Sequence, residues 1–246
     1  IYPGGETAFI TRIISESLIL QDRVQWYTSM LGKLSSVAEI IAELKKNGID
    51  NYAVTEFVQG SRTRRWGVGW SFEDVRPAMK AARGVSGHGL PKALLPFPSE
   101  YLIHLPLRQD GGREGGGGDA AKEIFGQVQK KLNEVMKTLD VQWQWKDPIA
   151  TGVGFLARNV WSRAARRRAA RENSGGEDGK SRPGEGDDDE DESENEMAFG
   201  FKISVMEIDE DREGGKGVSI VVRWLKGHDS ALFESFCGFL KRKVEI

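Results

Sequence analysis

The first seventy residues switch repeatedly between the apolar spacing of a helix and that of a strand, which restricts this part of the chain to the α/β folds. Between Glu6 and Leu18, residues Phe9, Ile10, Ile13, Ile14 and Leu18 fall on one helical face. Val24 to Leu31 is short, aromatic and uncharged, as a strand covered on both faces would be. A second helix then carries its own punctuation. Ser36 and Glu39 have capping-box spacing, Val37, Ile40, Ile41 and Leu44 form the stripe, and Gly48 stands where a left-handed cap belongs. Asn51 to Val58 and Trp66 to Phe72 read as two further strands. The helix between the first two strands predicts that they pair in parallel, and the short link before the third predicts an antiparallel pair.

Arg83 to Pro98 is rich in Gly and Pro and reads as a linker. A second set of elements follows it. Tyr101 to Leu107 is a strand, and Asp110 to Asp119 a glycine-rich loop. Ala120 to Leu139 is a helix with Ile124, Val128, Leu132, Val135 and Leu139 at helical spacing. Val141 to Trp145 is a short strand, and Gly154 to Arg171 a helix. Residues 173–196, dominated by Gly, Ser, Asp and Glu, are too polar to bury a core, so disorder is expected there. Beyond them, Phe199, Phe201, Ile203 and Val205 alternate, as do Val218, Ile220, Val222 and Trp224, giving a hairpin. Asp229 or Ser230 caps a last helix bearing Leu232, Phe233, Phe236, Leu240 and Val244. The expected organisation is an α/β segment (1–80), a linker (81–98), the first part of an α+β module (99–172), a disordered acidic insertion (173–197) and the second part of that module (198–246).

The formal net charge of −2 hides a basic stretch, Leu156 to Arg171, followed by an acidic one, Glu185 to Glu196. Cys237 is the only cysteine, which excludes an intrachain disulfide and a thiolate metal cluster. No apolar run approaches the roughly 20 residues of a membrane helix. The opening, Ile1 followed at once by the turn Pro3-Gly4-Gly5, reads as a start in the middle of a domain; a processed N-terminus is the alternative. His88, His104 and His228 lack metal-ligand spacing, and the glycines of 111–118 precede no Gly-Lys-Ser/Thr, so neither makes a site.

Basic residues carry the remaining signal. Arg163, Arg167 and Arg171 recur one helical turn apart, with Arg166 and Arg168 between them, as a stripe that suits a phosphate backbone; nuclear localisation and a surface helix without a partner are the alternatives. The loop from Gln59 to Arg65 offers guanidinium forks from Arg62, Arg64 and Arg65 between two strands. Lys33 sits just past the carboxyl end of a strand, where open α/β sheets place ligands, although a solvated lysine fits the position as well. Glu6 complements the dipole at its helix start. Trp143, Trp145, Trp161 and Trp224 alternate on strands or helices and belong to the core more readily than to a base-stacking platform.

Three strings then converge. Gly4-Gly5-Glu6 with Phe9-Ile10 and Glu16-Ser17, next Trp26-Tyr27-Thr28-Ser29-Met30-Leu31-Gly32-Lys33, and last Thr55-Glu56-Phe57-Val58-Gln59-Gly60 running through Arg62 and Arg65 to Trp66 and Trp70-Ser71-Phe72 stand in fixed order. Together they resemble the methyltransferase-like 16 family and its bacterial relatives, the ribosomal large-subunit RNA methyltransferases F. Residues 97–163 and 197–246 are similar in element order to the kinase-associated-1-like region of the animal members, which the bacterial enzymes lack.

The resemblance implies the C-terminal part of a class I (Rossmann-like) methyltransferase sheet, followed by a kinase-associated-1-like α+β module split by the acidic insertion. It implies transfer of a methyl group from S-adenosyl-L-methionine to adenine N6 in structured RNA, either U6 small nuclear RNA or a messenger RNA hairpin, in the nucleus, with the cytoplasm as a further compartment. A structured-RNA-binding protein without catalysis is the alternative. Because the amine of a paired adenine is engaged, such an enzyme must extrude the base while other residues hold the flanking strand. Arg62 and Arg65 match family arginines that contact RNA, with Gln59 and Lys33 beside them, and Arg163, Arg166, Arg167 and Arg168 extend the grip. The family's glycine-rich cofactor turn and its Asn-Pro-Pro-Phe string occur nowhere between Ile1 and Ile246, so the chain as given is expected to bind no cofactor and to carry no catalytic residue.

Overall fold

A computed structural model describes residues 2–60, 63–85, 90–106, 117–162, 165, 167, 198–208 and 217–245, the side chains of 117–121 excepted. Packing divides the chain into two units, Ile1–Tyr101 with Arg223–Ser230 and Leu102–Val222 with Ala231–Ile246.

The first unit runs α1 (Gly5–Leu20), β1 (Tyr27–Leu31), α2 (Leu34–Lys46), β2 (Tyr52–Gln59), β3 (Thr63–Trp70), α3 (Met79–Ala82) and β4 (Arg83–Gly84). Its four strands lie in the order β1-β3-β2-β4. β3 is antiparallel to both β1 and β2, so those two strands point the same way without touching. This corrects the expected direct parallel pair. The hairpin fills one edge of β3 with β2, and β1 takes the other edge, where Trp70 stands opposite both Tyr27 and Tyr52. β4 pairs in parallel on the far edge of β2, within the stretch read as a linker.

One face of the sheet presents Tyr27, Leu31, Tyr52, Val54, Trp66, Val68 and Trp70 to Ile10 and Ile14 of α1 and to Val37, Ile40, Ile41 and Leu44 of α2, forming a single core. The period of 2 in the strands and 3.6 in the helices makes this one-sided burial possible. Phe9, placed on the predicted stripe, is instead exposed and packs edge-on to Tyr2, while Ser17 is buried because its hydroxyl meets the Trp70 indole. Helix α2 begins two residues before Ser36, with Lys33 at its N-cap, so no capping box forms. Gly48 does adopt φ 71°, and the amide of Ile49 donates to Leu44 O at 2.9 Å, closing the helix as the sequence predicts.

The second unit holds most of a five-stranded sheet, β5-β9-β8-β7-β6, built from β5 (Glu100–Pro106), β6 (Gln142–Lys146), β7 (Thr151–Leu156), β8 (Phe199–Ile208) and β9 (Gly217–Lys226). With it go α4 (Gly117–Lys137) and α5 (Ser230–Val244). Strands from before and after the acidic tract therefore share one sheet. Residues 151–156, partly read as the start of a helix, are strand β7, antiparallel to β6 and β8. Its ladders with β6 and β8 make it a strand, and the glycines let neighbouring rings close on it: a Cβ on Gly154 would lie 2.3 Å from the ring of Phe201, and one on Gly152 would lie 2.0 Å from Trp143. Phe201 is fully buried against Phe236, with centroids 4.3 Å apart, and Phe199, Phe233 and Trp161 complete an aromatic core. On α4 the buried stripe is Val128, Leu132 and Met136, and on α5 it runs from Phe233 to Val244. The cysteine lies inside this core, and burial pushes the Cys237 thiol up to about 12, so it stays a protonated, unreactive thiol at neutral pH. The acidic insertion, 173–197, lies outside the described residues.

Candidate nucleic-acid interface

Because β1 and β2 run the same way, their carboxyl ends lie at one end of the sheet. Leu31 and Glu56 both stand opposite Trp66, and beyond them the β2–β3 hairpin continues through Phe57↔Arg65, Val58↔Arg64 and Gln59↔Thr63. The turn is therefore shorter than expected. Arg64 and Arg65 are strand residues, and Gly60, at φ 64°, starts the reversal. Arg62 lies outside the described residues.

Alternation then separates the two arginines. Arg64 shares the helix-covered face with Trp66 and donates to Glu56 at 2.7 Å, its side chain 49% exposed against 3% for the glutamate. That arginine neutralises a carboxylate taken out of water. Arg65 points from the opposite face, is exposed, and donates to the backbone O of Arg64 at 3.2 Å. Its register partner Phe57 is 47% exposed, and Met30, across β3 through Gly67, is 64% exposed. A side chain at Gly67 would meet Phe57 at 3.1 Å, so glycine leaves room for the ring to lie over the strand. An exposed aromatic ring beside an exposed guanidinium can take both a base and its phosphate. Sequence reasoning did not single out Phe57 or Met30, although both stand inside the family strings.

At the same end of the sheet, Lys33 is exposed in the turn from β1 into α2. Glu6 holds that turn: its Oε2 accepts from the Gly32 amide at 2.7 Å and its Oε1 from the Lys33 amide at 3.2 Å. Partial burial works against the Glu6 charge, but hydrogen bonds from Ser36, Gly32 and Lys33 and the Lys33 charge outweigh it, holding the carboxyl below its ordinary range. Glu6 therefore complements the start of α2, beyond the role in its own first turn expected from sequence. We expect Glu6→Gln to cost about 1–2 kcal/mol in urea denaturation near neutrality. A depressed folded pKa adds stability that is present above the ordinary value of 4.5 and lost as pH falls through the folded value. The wild-type advantage should thus shrink in acid; a gap that is independent of pH would exclude the charge as its cause.

Of the arginine helix, Arg163, Arg166 and Arg168 lie outside the described residues, while Arg167 is helical and exposed. The segment leading into it is anchored in the second unit. Trp161 is buried against Phe199 and Phe236, and its indole donates to Ser235 Oγ at 3.1 Å. Trp224 is buried as expected, whereas Trp143 and Trp145 are half-buried and stack on each other at 5.9 Å. Among the described residues no three His, Cys, Asp or Glu are placed to hold a metal ion, and no helix is long and apolar enough to cross a membrane.

The sheet end and its strings coincide with a known class. Residues 1–74 match a family model described as RNA methyltransferase, so the resemblance read from the three strings is borne out over this segment. Within that class, RNA N(6)-adenosine-methyltransferase mettl16 of Danio rerio is 49% identical over 74 residues, 30% of this chain and 16% of that protein. The U6 small nuclear RNA (adenine-(43)-N(6))-methyltransferase of Schizosaccharomyces pombe is 27% identical over 242 residues, 98% of this chain and 50% of that protein, so the relatedness runs through the second unit as well. The chain thus spans half or less of the length of these relatives. A crystal structure of the human METTL16 catalytic domain in complex with MAT2A 3'UTR hairpin 1 is 42% identical, with 34% of this chain and 28% of that chain covered and a TM-score of 0.30.

Proposed function

We propose that the protein acts in S-adenosyl-L-methionine-dependent methylation of adenine N6 in structured RNA, a U6 small nuclear RNA or messenger RNA hairpin, and that this chain supplies the surface that grips the RNA. The observation that carries this reading is the gathering of Lys33, Gln59 and Arg65 at the carboxyl end of two like-directed strands, inside the segment that matches RNA methyltransferases. Open α/β sheets bind ligands at that end. The segment order β1-β3-β2 suits the trailing edge of a class I sheet, and a kinase-associated-1-like module is our reading of the second unit, with the domain limits given above.

In this reading Arg62 and Arg65 hold the phosphates that flank the target nucleotide, and Phe57 offers a face to a neighbouring base. Lys33 reaches the strand from the turn that Glu6 fixes, while Arg163, Arg166, Arg167 and Arg168 hold a more distant part of the fold of the RNA. Holding the strand on both sides favours extrusion of the base, which costs a few kcal/mol. S-adenosyl-L-methionine supplies the methyl group when bound. The residues of this chain do not fit that cofactor, since neither the glycine-rich turn nor the Asn-Pro-Pro-Phe string occurs in it, and the carboxylates described at the sheet end are engaged, Glu6 by backbone amides and Glu56 by Arg64. No chemical step is therefore assigned to its side chains.

Arg62→Ala with Arg65→Ala should weaken binding of a U6-type hairpin about tenfold or more in filter-binding titrations at moderate salt, because each lost guanidinium removes a charge-assisted contact. Equal affinity of the variant and the wild type would remove the sheet end from the interface. Incorporation of labelled methyl into the same hairpin by the full gene product tests the chemistry; tight binding without transfer favours a non-catalytic RNA-binding protein.

A further inference from the structure

Away from the strand ends, the first unit contains a cleft of about 390 Å³ between the last turn of α2, β4 and the segment 91–98. We propose that this cleft is a second RNA contact, which seats a backbone phosphate at Arg83 and Lys92 and lays the adjoining nucleotide against Phe97. The inference rests on the RNA-binding reading given above and adds to it a site on a different part of the unit.

The charges of the cleft sort into used and available ones. Arg76 lines it, but its guanidinium is committed to Asp50 and to the carbonyls of Gly227 and His228. Asp50 is the only carboxylate among the lining residues, and Arg76 occupies it. Three cations remain. Lys45 donates to Ala93 O at 2.9 Å, which leaves the rest of its ammonium to the cleft. Lys92 is exposed on the turn of 92–94. Arg83 is different in kind. It stands opposite Val54 on the helix-covered side of the sheet, is half-buried, and its Nε is shut away from solvent without a hydrogen-bond partner among the described residues.

A half-buried guanidinium at the edge of a cleft, where the single lining carboxylate is already taken by Arg76, suits an anion at its remaining N–H groups. The walls are apolar: Leu95, Pro96 and Phe97 face Tyr52 and Trp224, and the Phe97 ring meets Trp224 edge-on at 6.1 Å. A phosphate against three cations with a half-buried ring alongside is the chemistry of a nucleotide. The gradient from a half-buried Arg83 to the exposed Lys45 and Lys92 suits a strand that enters the cleft with one phosphate and continues into solvent. A free anion would be better served by enclosure.

The test is a titration of the whole chain with a labelled structured hairpin over a range of KCl concentrations. Arg83→Gln with Lys92→Gln should weaken binding about tenfold and flatten the dependence on log salt by about one phosphate contact. Lys92→Glu, at an exposed lysine that cannot disturb the core, should alone weaken binding several-fold. Unchanged affinity and slope in both variants, with wild type bound normally, overturns this site and leaves the sheet-end reading intact. Loss of binding in the double variant together with a lowered Tm, and none for Lys92→Glu, makes Arg83 structural and also overturns it. A wild-type melting temperature raised by millimolar inorganic phosphate, with RNA affinity indifferent to the substitutions, assigns the cleft to a free anion instead. A wild-type chain that does not bind the hairpin overturns both readings.

Discussion

Trp70→Ala is expected to destabilise the first unit by about 3–5 kcal/mol, the range for truncating a large buried aromatic side chain. Trp70 is fully buried, stacks on Tyr27 at 5.7 Å, and stands in register with both Tyr27 and Tyr52, so it fills the centre of the sheet between β1 and β2. Its indole donates to Ser17 Oγ at 3.0 Å, and the Ser17 hydroxyl in turn donates to Ile14 O at 2.7 Å, which ties α1 to the sheet. Truncation empties the cavity and removes the donor to Ser17 at once. Against a typical total of about 5–15 kcal/mol, that loss leaves a unit at the margin of folding. Trp70→Phe keeps most of the volume and should cost only about 1–2 kcal/mol, mainly through the lost hydrogen bond. Urea denaturation followed by near-UV circular dichroism separates the two. Equal costs would mean that the site collapses around alanine and that packing at Trp70 does not set the register. Hairpin binding should fall with the alanine variant as well, because the same register brings Lys33 and Arg65 to one end of the sheet.

Much of this core is legible in the sequence. The stripes of α2 and α5 were visible because each apolar position recurs at a helical spacing, and Gly48 because only a left-handed residue closes the helix there. What periodicity cannot give is the neighbour. It states which face of a strand is buried, and it left β1 beside β2 when β3 lies between them. β7 was misread for a related reason. Gly152 and Gly154 carry no apolar signal, and the rings that cover them, Trp143 and Phe201, come from other strands. Ser17 and Ser36 were likewise opaque, since each is defined by a partner far away in sequence, Trp70 and Glu6.

The candidate interface follows the same division. Lys33, Gln59 and Arg65 could be read from their strings and from their place after strands. The difference between Arg64 and Arg65 could not, because the hairpin register decides which arginine faces Glu56 and which faces solvent. The basic cleft was invisible for a stronger reason. Its cations come from α2, β4 and a turn of 92–94, and no string in the sequence joins them.

Arg76→Ala should cost about 3–5 kcal/mol, because it empties a buried volume against Trp224 and strips the donors from two backbone carbonyls at once. The Arg76 side chain is 6% exposed; its Nε donates to Gly227 O at 2.7 Å, and its Nη2 donates to Asp50 Oδ2 at 3.0 Å and His228 O at 3.2 Å. The guanidinium carbon lies 4.2 Å above the Trp224 ring. Backbone pairing of Arg76 with Leu225 and of Gly227 with Asp74 holds the two segments in place around it. The carbonyls matter more here than the ion pair. Asp50 is 54% exposed and can return to water, whereas the carbonyl of the buried Gly227 loses its donor where solvent does not reach. Arg76→Met, which keeps the volume and the contact with Trp224, should therefore cost about 1–3 kcal/mol. Asp50→Ala should cost less than about 1 kcal/mol. Arg76→Lys should not recover the wild type, because one ammonium cannot span acceptors arranged for a planar fork. If Asp50→Ala proves as damaging as Arg76→Ala in thermal and urea melts, the charge pair and not the capture of the carbonyls holds this corner of the unit together.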